Sequence, residues 1–183
     1  MAGSSDPFMT LSLNSYVADM MLESGQQSLI DEYGLQPFEV KALRPERTIC
    51  EKIMSLVRFS YSDTPLDDLK LKIRHTYDLH KLLENAEPKT FFESSAFDEL
   101  LLKVAQDDVA SFRNNNAWLV NHPKEALIFA ELNEVWPELK SMYLGSFSNL
   151  VYGTLPDEVA VFETLSIIKD RLSTIEWNIT LDK

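Results

Sequence analysis

The sequence predicts a mainly α-helical protein with a small β element, and the spacing of apolar residues carries that expectation. From Pro88 to Glu176 every apolar pattern has helical spacing, whereas only Phe38 to Leu43 alternates apolar and polar residues with period two. A content of 45% hydrophobic and 25% charged residues over 183 positions is that of a globular chain long enough to bury a core.

The elements follow in order. Tyr16, Val17, Met20 and Met21 within Leu13 to Leu22 have the i, i+1, i+4, i+5 arrangement of a helix, with Asn14 or Ser15 as its cap. A short helix over Gln26 to Tyr33 is stopped by Gly34, which tolerates the positive φ of a helix end. After the strand, Pro45 suits the first turn of a helix through Arg58 whose apolar stripe is Ile49, Ile53, Leu56 and Val57. Ser, Asp and Pro mark a loop over Ser60 to Pro65, and one helix is expected over Leu66 to Glu84, burying Ile73, Tyr77, Leu79, Leu82 and Leu83. Further helices are expected over Thr90 to Glu93, Phe97 to Asn114, Pro123 to Phe147 and Pro156 to Glu176. The third should break near Trp136-Pro137, because proline removes a helical hydrogen bond. Asp157 and Glu158 suit the start of the last helix, with Val159, Phe162, Leu165, Ile167, Ile168 and Leu172 facing inward.

The net charge of −12 disfavours a broad electrostatic footprint on nucleic acid, although a local basic cluster can coexist with an acidic exterior. Cys50 is the one cysteine, which excludes an internal disulfide and a cysteine-rich zinc cage and makes the cytoplasm the default setting. No apolar run is long enough to span a membrane. Residues 1–8 read like a short vector leader or a disordered terminus, with Met9 as a natural start, and are set aside from fold reasoning. Residues 9–43 then hold helices plus the strand, and residues 44–183 a helical domain.

Lys52 and Asp78 carry the chemistry. Each lies four positions before a leucine of an apolar stripe, Leu56 and Leu82, on two successive predicted helices, where a charge needs a partner or a task. An ammonium there can neutralise a transferring phosphate, and a carboxylate can position an acceptor. The plainer alternative is an i, i+4 ion pair between Arg74 and Asp78 with Lys52 snorkelling past Leu56. His75 and His80 fall on different helix faces and His122 precedes a proline, so the three histidines are expected at the surface or hydrogen-bonded rather than on a metal. Gly145-Ser146 is not followed by an Asp-x-Asp pair, and no such pair occurs in the chain. Asn114 to Asn116 form a loop, Asn178-Ile-Thr180 is a formal glycosylation sequon, and Phe112, Trp118, Phe129, Trp136, Tyr143, Phe147 and Tyr152 read first as core and second as a base-stacking platform.

Val40-Lys-Ala-Leu-Arg-Pro-Glu-Arg-Thr-Ile-Cys-Glu-Lys52 and Arg74-His-Thr-Tyr-Asp78-Leu resemble the AbiEii/AbiGii family of nucleotidyltransferase toxins, over about Leu29 to Glu176. The resemblance implies the C-terminal helical part of an α+β nucleotidyltransferase-like fold, with residues 9–43 remaining from its core. It implies Lys52 as a phosphate-contacting lysine, Asp78 as the aspartate of the Tyr-Asp-Leu motif, and Arg74 as a weaker substrate-binding candidate. It also implies Mg²⁺ and a nucleoside triphosphate for the intact family, an RNA acceptor such as transfer RNA, and an antitoxin, in phage defence or plasmid maintenance. Family members carry a Gly-Ser turn and an Asp-x-Asp pair upstream; without them the expectation is a partial enzyme, inactive alone and holding no cofactor itself. His75 also stands where many relatives have an acidic residue. A fragment of a larger fold should cover its unpaired strand edge by self-association through Tyr16 to Leu43, as a homo-oligomer. The alternative function is a non-catalytic helical protein-interaction module.

Overall fold

A computed structural model of the chain describes residues 7–113 and 115–181. The chain divides into two compact units, Met1–Arg44 and Pro45–Lys183. In the first, strand β1 (Phe8–Leu13) pairs antiparallel with β2 (Phe38–Leu43), in the register Phe8↔Leu43 to Leu13↔Phe38. Because side chains alternate along a strand, Met9, Leu11, Leu13, Phe38, Val40 and Ala42 share one face of this ribbon. Helices α1 (Tyr16–Glu23) and α2 (Gln27–Glu32) connect the strands. Ser15 caps α1 by accepting the Ala18 amide at 3.0 Å, and Gly34 ends the second turn with φ 63°. Of the leader expectation, residues 1–6 lie outside the described residues, but Phe8 opens a strand that was not expected. The partner strand decides this, since Phe38 to Leu43 needs a ladder for its backbone groups. The α1 expectation is corrected in its facing: Ala18 is buried, while Tyr16 is 80% exposed and Val17 and Met20 are exposed as well.

The second unit is helical: α3 (Pro45–Ser60), α4 (Pro65–Leu71), α5 (Ile73–Leu83), α6 (Ala86–Phe92), α7 (Ser95–Ser111), α8 (Leu127–Ala130), α9 (Leu132–Met142) and α10 (Glu158–Leu172). Helix α3 is its centre. Ile49, Ile53, Leu56 and Val57 are buried as expected, against α4, α5, α6, α7 and α8. Ser60 ties the end of α3 to the start of α8, donating to the Leu56 carbonyl and accepting the Ile128 amide at 3.2 Å. Cys50 is buried among these apolar neighbours, and burial pushes its thiol pKa up.

Three helical expectations are corrected. The segment Leu66 to Glu84 is two helices, parted at Lys72 (φ −101°, ψ 12°), where neither glycine nor proline warns of a break. The offset buries both Leu69 and Ile73 and sets the Lys72 ammonium 4.6 Å from the centre of the Phe59 ring. Helix α9 runs through Pro137, and the interruption lies nearer the N-terminus, at Glu131 (φ −111°, ψ 37°). Pro137 and Asn133, whose carbonyl the missing N–H would have bonded, are both exposed, so the helix interior loses nothing buried. In α10, Asp157 caps the Val159 amide at 2.8 Å, but Val159 and Ile167 are exposed and Val161 and Thr164 point inward instead. The rotation brings Thr164 within 2.8 Å of the buried His80.

Candidate functional site

Helices α3 and α5 pack side by side, and the two charges at the borders of their apolar stripes meet there. Lys52 Nζ donates to Asp78 Oδ2 at 2.6 Å, with the two side chains 20% and 19% exposed. The separation is that of a direct ion pair, closer than the water-bridged or phosphate-bridged cleft expected from spacing. Arg74 reaches the same carboxylate oxygen at 3.5 Å from one turn earlier on α5, with 77% of its side chain exposed. One half-buried carboxylate thus serves two cations, and the three groups together keep a formal charge of +1.

His75 completes the cluster and breaks the expectation of a surface or hydrogen-bonded histidine. Its Nδ1 is buried and has no hydrogen-bond partner among the described residues. Burial first, then the nearby cations Lys52, Lys72 and Arg74, push its pKa from 6.5 down to about 4, against the opposing pull of Asp78. The imidazole is therefore neutral at pH 7. The other two histidines are bonded: His80 to Thr164, and His122 to the Ile175 carbonyl at 3.0 Å.

A stability prediction follows from His75. Between pH 6.5 and 4 the unfolded chain binds the His75 proton and the folded chain does not, so stability falls as pH is lowered through that window. Because the ring is partly solvated, the expected loss is about 1–2 kcal/mol. Urea unfolding at pH 7 and pH 4.5 should show this difference shrink by that amount in His75→Leu; an unchanged difference would assign the acid sensitivity to other groups.

The donor chemistry around Asp78 does not suit a divalent cation. Its carboxylate is compensated by Lys52 and Arg74, and among the described residues no group of three or more His, Cys, Asp or Glu side chains is placed to hold a metal ion. Gly145-Ser146 lies in the segment Tyr143–Phe147, where the helix kinks at Gly145 (φ −87°, ψ −111°). No helix among the described residues is long and apolar enough to cross a membrane.

The family model for the nucleotidyl transferase AbiEii toxin of type IV toxin–antitoxin systems matches residues 2–164. The chain belongs to the AbiEii family. The match covers both units, so the Lys52 helix and the Asp78 helix both lie inside the AbiEii region. No curated protein and no solved structure matches this AbiEii chain significantly. The family assigns it a nucleotidyltransferase-like toxin role with an antitoxin counterpart, and nucleotidyltransferases generally use a nucleoside triphosphate and a divalent metal.

Spacing along the AbiEii chain brought Lys52, Asp78 and Arg74 into view, and it missed two things. The unpartnered nitrogen of His75 depends on how α3 covers α5. Arg74 also lines a second feature, a cleft of about 540 Å³ whose other wall comes from residues near position 150. No sequence rule groups those residues with Arg74; the aromatic character of Phe147 and Tyr152 was the only signal.

Proposed function

We propose that this chain supplies the lysine-and-helix part of a nucleotidyl-transfer site, in a toxin that adds nucleotides to an RNA acceptor. The observation that supports this is the half-buried Lys52–Asp78 pair, shared with Arg74, inside the family-matched region. In this reading a nucleotide phosphate competes with Asp78 for the Lys52 ammonium, and Arg74 closes on the released carboxylate. Asp78 positions the acceptor, and residues 9–43 act as core and 44–183 as the helical domain. The metal-binding carboxylates come from a further polypeptide segment, so the chain by itself is inactive. Its setting is cytoplasmic, in phage defence or a related role.

Incubated with Mg²⁺, each labelled nucleoside triphosphate and total transfer RNA, the purified chain should transfer no label above background. In contrast to the expectation that the chain holds no cofactor itself, the Lys52 ammonium in this reading gives it measurable affinity for nucleoside triphosphate, which Lys52→Ala should weaken about tenfold by removing one charge-assisted contact. Transfer by the chain alone would refute the partial-enzyme reading, and binding indifferent to Lys52→Ala would refute the lysine's role.

The first unit carries a further consequence of the partial-enzyme reading. Among its described residues it buries only Ala18 and Ile30 of the hydrophobic side chains and exposes Tyr16, Val17, Met20, Tyr33 and Phe38. A two-stranded ribbon is marginal by itself, and such surface is commonly covered by self-association. A homo-oligomer through Tyr16 to Leu43 covers it, and sedimentation at micromolar concentration tests this, a monomer of 21.0 kDa favouring the alternative of a non-catalytic helical interaction module.

A further inference from the structure

A second cavity, of about 190 Å³, opens between α3 and α7. Helical spacing builds it: Arg47, Glu51, Ser55 and Arg58 recur every three or four residues along one side of α3, and Val104 and Asp108 are four apart on α7. Met54 joins Val104 as an apolar wall. Lys52 lies one residue beyond Glu51, about 100° further around the helix, and its ammonium is on Asp78 of α5 rather than in this cavity.

Two charges in the cavity are left unpaired by the fold. Arg47 is satisfied, donating to Glu51 and to Asp107, each at 2.8 Å. The Arg58 guanidinium rests against two rings, 4.8 Å from the centre of Phe59 and 4.3 Å from that of Phe112. Among the described residues it makes no hydrogen bond and no ion pair, and the same holds for the Asp108 carboxylate. Burial pushes the Asp108 carboxyl up to about 6, with Arg58 opposing and Glu51 and Asp107 adding to the rise. At pH 7 it is therefore an anion short of compensation. Unlike charges in one half-buried space gain by closing on each other. Here both line the same cavity and neither has a partner.

Charge and size decide the class of ligand. A ligand of one sign satisfies either Arg58 or Asp108 and leaves the other bare. A phosphate group in particular would face the carboxylates of Glu51 and Asp108. The volume equals the share of about six water molecules and lies below the roughly 300–1,000 Å³ of drug-sized sites. The ligand is therefore small, carries both an ammonium and a carboxylate, and has an aliphatic part for Met54 and Val104.

We propose that this cavity binds a free aliphatic α-amino acid, with its carboxylate on the Arg58 fork, its ammonium on Asp108 and its side chain against Met54 and Val104. The Ser55 hydroxyl, one turn from both Glu51 and Arg58, supplies a further hydrogen bond. This site is separate from the transfer site proposed above, and its occupant ties α3 to α7.

Isothermal titration calorimetry of the intact chain with L-valine at pH 7 tests it. Binding should saturate at one molecule per chain, with a Kd on the order of 1 mM or tighter. Isobutylamine, which lacks the carboxylate, and isovalerate, which lacks the ammonium, should each bind at least about tenfold more weakly. Asp108→Asn and Arg58→Lys should each weaken L-valine binding about tenfold, the second because lysine keeps the charge and loses the planar fork. Asp108→Asn removes an uncompensated charge, so without ligand it should unfold at the parent's temperature or above. The rise in Tm that saturating L-valine gives the parent should vanish in it. Ile167→Ala, exposed and outside the cavity, should change nothing. Absence of saturable L-valine binding would overturn the proposal, as would unchanged affinity in both Asp108→Asn and Arg58→Lys. So would isovalerate or isobutylamine binding as tightly as L-valine, which would make the cavity a site for a simple anion or cation.

Discussion

Arg171→Ala should lower the unfolding free energy by about 3 kcal/mol, the largest loss expected from any single charged side chain here. From α10 the guanidinium spans the start of α7: it pairs with Asp98 and donates to the Ser94 carbonyl at 2.9 Å and the Phe92 carbonyl at 3.1 Å. It also donates to Thr174 at 2.8 Å and lies 5.2 Å from the centre of the buried Phe97 ring. Truncation leaves a partly buried carboxylate and two carbonyls without their donor, and that loss outweighs the modest net value of each bond. Arg171→Lys should recover less than half, because a point charge cannot reach both carbonyls and the carboxylate at once. Urea denaturation with an unchanged m value measures this. A loss below about 1 kcal/mol would mean the clamp is solvent-screened like a surface pair.

The second large effect is an asymmetry at the Lys52–Asp78 pair. Lys52→Ala should cost about 1 kcal/mol, because Arg74 already touches the same Asp78 oxygen and its exposed side chain is free to move closer. Asp78→Ala should cost about 2–3 kcal/mol, since it strands the ammonium of Lys52 at 20% exposure and leaves Arg74 without its anion. The double variant should cost less than Asp78→Ala alone, because no ammonium is then left stranded, the signature of coupled neighbours. Equal costs for the two single variants would mean that Arg74 does not compensate, and would weaken the view that a phosphate can take Lys52 from Asp78.

The local signals that survived are those whose cause is local. Pro45 starts α3, Asp157 and Ser15 cap their helices, Gly34 adopts positive φ, and the α3 stripe is buried as its spacing requires. The failures share a different cause. Lys72 breaks a helix without a breaker residue because Leu69 and Ile73 both gain burial by it. Pro137 fails to break one because its lost hydrogen bond faces solvent. The facing of α10 was misread because Val159, Ile167 and Val161 are equally apolar, and only the neighbours α5, α8 and α9 select among them.

By itself the sequence determined the helical class and the strand Phe38 to Leu43, which follow from residue type at short spacing, where periodicity and capping act within a few turns. The family came from the resemblance of two motifs, and with it Lys52, Asp78 and Arg74 as candidates. Tertiary structure alone decided that Lys52 and Asp78 touch directly rather than across a ligand, that His75 is held neutral, and that Phe147 and Tyr152 stand opposite Lys70 and Arg74. Those relations join residues up to tens of positions apart, and they are set by how helices pack to bury apolar surface, which no local pattern encodes.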